Sequence, residues 1–324
     1  LWLHPGEAEL VNLRDQQTQW QRAQEKARLE SKQPAVTLDS RAIEVAANIG
    51  GPLDVPVALE FGAEGVGLFR TEFLFLDRET APSEEEQYQA YRQVADGLGD
   101  LPLIIRTLDV GGDKPLPYLD LGHEENPFLG WRGIRFCLGH PEIFKPQLRA
   151  ILRAGDGRNV KIMFPMIGTI DEIRMVKDIL VEVKNVLAKG RIPFDDDMPV
   201  GIMIEVPSAA AIADILAAEV DFFSIGTNDL TQYTMAADRG NSNVAGLAQA
   251  LSPAVLRLVS QTVNAGHDAG IWVGMCGELA GNEVATPLLV GLGLDELSMS
   301  APSIPAVKEA IRNVTMAEAR QLAE

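Results

Sequence analysis

The chain has 324 residues, and its 46 acidic against 28 basic groups give a formal charge of −18. That balance argues against nucleic acid or anionic membrane as a general partner, so an anionic ligand must find a local cluster of arginines. The two cysteines, Cys137 and Cys276, lie far apart among apolar neighbours. This argues against a disulfide framework and for a reducing compartment, and no stretch reaches the roughly eighteen apolar residues that would span a bilayer.

The chain opens at Leu1 without a methionine, as though cut from something longer. From Gly6 to Lys32 it is rich in Gln, Glu, Arg and Ala with one thin apolar seam of Leu10, Leu13 and Trp20, until Pro34 stops it. This predicts a polar helix of the kind that serves as a solvated connector. Val36-Thr37-Leu38 is expected to pair with Ala42 to Ala46 around Asp39-Ser40, as a hairpin plugging the lower end of a barrel. Residues 1–35 are therefore read as a linker strand and helix, and 36–324 as one domain.

The barrel is read from eight apolar runs: Glu44 to Asn48, Gly65 to Arg70, Leu103 to Val110, Val160 to Ile167, Val200 to Val206, Phe222 to Asp229, Trp272 to Glu278, and Glu296 to Ala301. Each is short enough for a strand. Helix-like stretches such as Ser83 to Leu98, Thr169 to Leu187, Pro207 to Ala218 and Pro253 to His267 lie between them. The alternation implies parallel pairing. Runs such as Gly201-Ile202-Met203-Ile204 are nearly continuously apolar, as strands buried on both faces must be. Eight such units close a (β/α)8 TIM barrel of the α/β class, here preceded by a polar linker helix. The chain's length beyond a plain barrel of about 250 residues falls in that arm and in two loops, from Gly111 to His140 and from Leu230 to Ser252.

Several runs end in charge: Arg70, Arg106 and Asp109, Glu205, Asn228 with Asp229, and Cys276 with Glu278. One such residue is most simply a salt bridge, but repetition at the mouths of buried strands reads as an active site. Glu205 and Asp229 would close the fifth and sixth strands, and two converging carboxylates with room for water and a ligand oxygen suit Mg²⁺. No close His and Cys set offers a zinc site. Arg132 and Arg135 in one long loop and Arg239 in the other join Arg70 and Arg106. Planar guanidinium groups around one cation fit a small, multiply charged anion. Gly111-Gly112-Asp113-Lys114 offers backbone N–H groups to the same anion. Cys276 is either a small buried hydrophobe or a thiol placed to give a proton or attack a ligand. None of His4, His123, His140 and His267 looks like a poised nucleophile.

Six segments carry a resemblance that covers essentially the whole chain: Gly62-Ala-Glu-Gly-Val-Gly-Leu-Phe-Arg70-Thr-Glu-Phe-Leu, Arg106-Thr-Leu-Asp-Val-Gly-Gly-Asp-Lys114, Glu125-Asn-Pro-Phe-Leu-Gly-Trp-Arg132, Gly226-Thr-Asn-Asp-Leu-Thr-Gln232, Asp238-Arg-Gly-Asn241 and Gly274-Met-Cys-Gly-Glu-Leu-Ala-Gly281. They resemble the phosphoenolpyruvate-binding domain of Enzyme I of the bacterial sugar phosphotransferase system, or a multidomain, multiphosphoryl-transfer paralogue of it. The resemblance implies that Arg70, Arg106, Arg132 and Arg239 hold the phosphate and carboxylate of phosphoenolpyruvate and that Asn228 contacts the phosphate. It further implies that Glu205 and Asp229 bind Mg²⁺ and that Cys276 protonates the enolate to give pyruvate, with Arg106 and Arg132 beside it as catalytic groups. It implies a cytoplasmic homodimer that passes phosphate to a histidine on a separate upstream domain and then to a histidine phosphocarrier protein. That acceptor histidine matches none of the four here. The alternatives are the carboxy-terminal barrel of a pyruvate phosphate dikinase or phosphoenolpyruvate synthase, a non-catalytic phosphoenolpyruvate sensor, and, more distantly, a magnesium-enolate lyase.

Overall fold

The computed structural model describes residues 6–76, 78–111, 118 and 123–324. Its eight strands, β1 (Glu44–Ile49), β2 (Val66–Arg70), β3 (Leu103–Arg106), β4 (Val160–Phe164), β5 (Val200–Ile204), β6 (Phe222–Ile225), β7 (Trp272–Met275) and β8 (Glu296–Met299), close a barrel in sequence order. Every neighbouring pair is parallel, β8 returning to β1. The strands are apolar on both sides because both sides are covered. Leu68, Ile104, Met163, Met203, Phe222 and Cys276 fill the interior, while Phe69, Ile105, Phe164 and Phe223 pack outward against the helices.

The helices begin where the sequence supplies caps. Ser83 accepts from the Glu86 amide ahead of helix Glu84–Leu98, and Thr169 does the same with Glu172 ahead of Ile170–Gly190. The stretch from Pro207 is two short helices, Pro207–Ala211 and Ala213–Ala217, because Ile212 leaves the helical region at φ −117°, ψ 26°. Helix Pro253–Asp268 forms as its spacing predicts. Among the described residues no helix is long and apolar enough to cross a membrane.

The polar arm is a helix over Glu7–Glu30, and its C-terminal end docks under the barrel. Arg28 pairs with Glu60, and buried Lys308 donates to the carbonyl of Ser31 at 2.9 Å and to Glu64 at 2.9 Å. Gly62, at φ +86°, is what lets Ser31 approach, since a Cβ there would sit 2.4 Å from its carbonyl oxygen. The expected hairpin reduces to one antiparallel bridge, Val36 with Ala42. Glu44 to Ala47 pair in parallel with β8 instead, because the barrel can close only through β1.

One feature of the interior is polar. Glu44 on β1, Glu296 on β8, Gly274 on β7 and Ser224 on β6 are successive register partners. Glu296 is only 3% exposed. Burial, and then neighbouring Glu44, push its carboxyl up to about 8, with Lys161 opposing. An acid whose pKa is raised on folding binds its proton more tightly in the native state, so stability falls as pH rises from the ordinary carboxylate range through about 8. Glu296→Gln removes that proton. It is expected to flatten the loss of stability between pH 5.5 and 8, which for one such group runs at up to about 1.4 kcal/mol per pH unit. Urea midpoints at the two pH values measure this, and an undiminished fall in the variant would count against a buried acid at this position.

Candidate functional site

A cavity of about 80 Å³ opens at the C-terminal ends of the strands, the end of such barrels where ligands bind. Arg70, Arg106, Arg132, Glu205, Asn228, Asp229, Arg239 and Cys276 all line it. Larger depressions, one of about 550 Å³ beside His267 and Asp295, lie at the opposite end, which in this architecture serves stability.

Each residue reaches the cavity by a different local device. Arg70 and Arg106 are the last residues of β2 and β3, and Glu205 and Cys276 come directly after β5 and β7. The sixth strand is shorter than its apolar run. It stops at Ile225, and a helix, Thr227–Met235, starts two residues later. Asn228 and Asp229 therefore sit in that helix's first turn rather than on the strand, where the N-terminal dipole favours a carboxylate. The first part of the loop from Leu230, up to Met235, belongs to this helix, and Arg239 lies beyond its end. Arg132 enters from the loop ahead of helix Ile134–Gly139. Arg135 turns away to Glu172 at 3.5 Å and does not line the cavity. Residues 112–114 of the Gly-Gly-Asp-Lys segment and His4 lie outside the described residues.

Arg132 is the hub. It donates from Nε and Nη2 to Asp109 at 3.1 and 3.2 Å, and from Nη1 and Nη2 to Asp229 at 3.1 Å each. Tyr233 accepts from its Nη1 at 3.3 Å. Arg106 donates from Nη2 to Glu72 at 2.8 Å and pairs through Nη1 with Asp109 at 3.3 Å, while Glu72 also accepts the Asp109 amide at 3.1 Å. These carboxylates hold both guanidinium groups firmly in the charged form. Sequence reasoning noted Asp109 but gave it no role. It missed Glu72 and Tyr233, although a glutamate amid Phe and Leu two positions after Arg70 was a signal of a buried charge seeking a partner.

The remaining charges are unsatisfied. Arg70 and Arg239 have no side-chain hydrogen bond or ion pair among the described residues, and Nε of Arg106 is buried without a partner. Burial, and then Arg106 beside it, make the Arg70 guanidinium easier to deprotonate than usual, as expected of a cation facing a cation. On the other wall the excess is negative. Glu205 accepts the Met166 amide at 2.7 Å, offered by a residue at φ +58°, a strained backbone of the kind kept at functional sites. Burial, and then Asp229 and Asp109, push the Glu205 carboxyl up to about 8.

That acidic corner fits a hard divalent cation. Its donors are carboxylate oxygens with like-charge repulsion to relieve, and among the described residues no set of three His, Cys, Asp or Glu forms an all-protein cage. Two carboxylates could hold Mg²⁺, which keeps waters and ligand oxygens in its shell. Asn228 is braced by Glu278, donating at 3.1 Å and accepting its amide at 3.0 Å. Cys276, 2% exposed, is fixed by its amide to the Ile225 carbonyl at 3.0 Å and by Asn48, which donates to its carbonyl at 2.9 Å. Burial pushes its thiol up to about 11, so it stays protonated at neutral pH.

Fold and cavity together define a class: a (β/α)8 barrel with unpaired arginines facing carboxylates at the C-terminal ends of its strands. The chain belongs to the family described as PEP-utilising enzyme, PEP-binding domain, whose sequence profile matches residues 24–316. It is 55% identical over 290 residues to the phosphoenolpyruvate-protein phosphotransferase of Staphylococcus carnosus (strain TM300), covering 90% of this chain and 51% of that protein. The protein of the same name from Bacillus subtilis (strain 168) is 54% identical over 292 residues, with 90% and 51% covered. This chain thus spans about half the length of these relatives. A solved citrate lyase from Burkholderia xenovorans LB400 superposes with a TM-score of 0.50 at 15% identity, over 86% of this chain and 80% of that one, a likeness of fold alone.

Proposed function

We propose that this chain is the phosphoenolpyruvate-binding catalytic part of a phosphotransferase that passes the phosphoryl group to a histidine on another domain and releases pyruvate. One observation carries the reading: a single cavity has unpaired guanidinium groups on one wall and mutually repelling carboxylates on the other. A ligand with a phosphate and a carboxylate, bound beside a divalent cation, neutralises both walls. The name borne by the relatives favours this reading over a dikinase barrel.

In this mechanism Arg70, Arg239 and Nε of Arg106 bind the phosphate and carboxylate, and Asn228 directs an amide N–H at the phosphate. Arg132 holds Asp109 and Asp229 in place while adding positive charge. Glu205 and Asp229 would hold Mg²⁺, which supplies positive charge where the phosphate and the developing enolate are negative. Phosphoryl transfer asks the protein mainly for positioning and charge neutralisation. Once the P–O bond is broken, Cys276 gives its S–H proton to the methylene carbon. The same reading places the protein in the cytoplasm, as a homodimer at the head of a sugar phosphotransferase relay, with residues 1–35 as the linker to the histidine domain and a phosphocarrier protein downstream.

Calorimetric titration tests it. Phosphoenolpyruvate should bind only with Mg²⁺ or Mn²⁺ present, and Asp229→Ala should lose the metal dependence with most of the affinity. Equal binding by the unmodified chain in excess chelator would sink the metal assignment. Arg106→Lys keeps the charge, but an ammonium cannot serve Glu72, Asp109 and a ligand from one planar fork. The expected loss in affinity is about 1.5–3 kcal/mol, and wild-type affinity in that variant would remove Arg106 from the ligand contacts.

A further inference from the structure

Among the described residues, Ser224 Oγ and Glu296 Oε1 are buried in the barrel interior without a hydrogen-bond partner. They belong to the row formed by Ser224, Gly274, Glu296 and Glu44. Register partners point to the same face of a sheet. That face is the interior, because Phe222 and Cys276, each two residues along from a member of the row, lie in the interior cluster. The tilt of barrel strands makes such a row climb. It starts at the first residue of β1 and reaches the third residue of β6.

Both ends lead somewhere. The lower end opens into a cavity of about 430 Å³ lined by Glu44, Glu64 and Lys161. At the upper end Ser224 is the register partner of Gly274, two residues before Cys276, and its hydroxyl favours the Cys276 thiolate. Between them the two glycines make room for the carboxyl of Glu296. A Cβ on Gly274 would come within 3.1 Å of Oε1, and one on Gly67 within 2.5 Å. A carboxyl lying over Gly274 is one strand spacing, about 4.8 Å, from Ser224, too far for a direct hydrogen bond and the span of one bridging water. Leaving a buried hydroxyl and a buried carboxyl oxygen unpaired is costly, and an interior of Val and Leu would avoid it.

We propose that Ser224 and Glu296 form a proton-return line from the lower mouth of the barrel to Cys276, acting through the thiol and touching no substrate. The proposal rests on Cys276 as the proton donor. When Cys276 protonates the substrate carbon, its S–H bond breaks, a C–H bond forms and a thiolate remains. The thiolate takes the Ser224 hydroxyl proton, and the Ser224 oxygen takes a proton from a bridging water that the Glu296 carboxyl reprotonates. The Glu296 carboxylate takes a proton from solvent admitted beside Glu44 and Lys161, so one proton enters below for each that leaves in product. Burial keeps Glu296 largely protonated at neutral pH, with a proton to give.

Hydrogen exchange at the methyl group of pyruvate reads this line directly. The 324-residue chain is incubated with Mg²⁺ and pyruvate in heavy water, and deuterium entering the methyl group is followed by NMR. Exchange requires that a proton taken by Cys276 escape to solvent. Ser224→Ala and Glu296→Gln should each slow it about tenfold or more, with pyruvate affinity by calorimetry unchanged. Exchange at the wild-type rate in both variants would overturn the line, as would a loss matched by an equal loss of affinity, which marks a packing role. Cys276→Ala separates the two levels: if it abolishes exchange while the other variants do not slow it, the donor stands and the line falls. Wild-type exchange in Cys276→Ala removes the donor itself.

Discussion

Arg132→Met is expected to cost the chain about 3–5 kcal/mol of stability, the range for removing one partner of a buried ion pair, and most of its ligand affinity. Methionine comes near the volume of arginine, so the loss is one of charge. The Arg132 side chain is 3% exposed and neutralises Asp109 and Asp229, which are 1% and 9% exposed. Without it those carboxylates and Glu205 share one buried corner that has lost the cation bonded to two of them. Burial and the neighbouring acids already raise the Glu205 carboxyl, and losing the Arg132 charge that opposes them would raise it further, so the deficit should be largest at pH 8 and shrink on acidification as Glu205 takes up its proton. Denaturant midpoints at pH 8 and pH 5 give the comparison. Arg132→Met combined with Asp109→Asn should recover part of the loss, because it removes one uncompensated charge. A single variant as stable as the parent at pH 8 would mean that Arg132 is not the hub of the network.

The dependence on Arg132 shows where sequence reasoning stopped. The strands were legible because a strand buried on both faces must be apolar throughout, as Gly201-Ile202-Met203-Ile204 is. Charged residues at their ends stood out against that background. Local signals did not show where a strand yields to a helix. Phe222 to Asp229 reads as one run, yet Gly226 ends the strand and places Asp229 on a helix, where Arg132 reaches it. Nor did they show pairing at a distance. Glu72 and Asp109 resemble any acids near an arginine until Arg106 is folded between them. The polar row inside the barrel needs the register of four strands, because Glu44 and Ser224 are 180 residues apart and only the tilt of closed strands sets them on one line.

The 324-residue chain given phosphoenolpyruvate and Mg²⁺ should bind the ligand and form no acid-labile phosphohistidine. No described histidine lines the cavity. His267 is at the opposite end of the barrel, bonded to Asp295 at 2.8 Å. His140 packs against the rings of Trp131 and Phe136, at 4.9 and 4.5 Å between centroids, with Nδ1 bonded to Glu142 at 2.9 Å. His123 lies in the loop leading to Arg132. In-line transfer needs an acceptor nitrogen about 3–3.5 Å from phosphorus, and none of these three is offered to the cavity. Joining the chain to a domain that carries a competent histidine should switch labelling from none to complete. Attachment in cis should outperform addition in trans, because a tether supplies an effective concentration up to about the millimolar range. Mass spectrometry of chain exposed to phosphoenolpyruvate decides it, with phosphate preserved at alkaline pH. Stable phosphate on His4, His123, His140 or His267 would place the acceptor within this chain and dissolve the division between a binding barrel and a separate histidine domain.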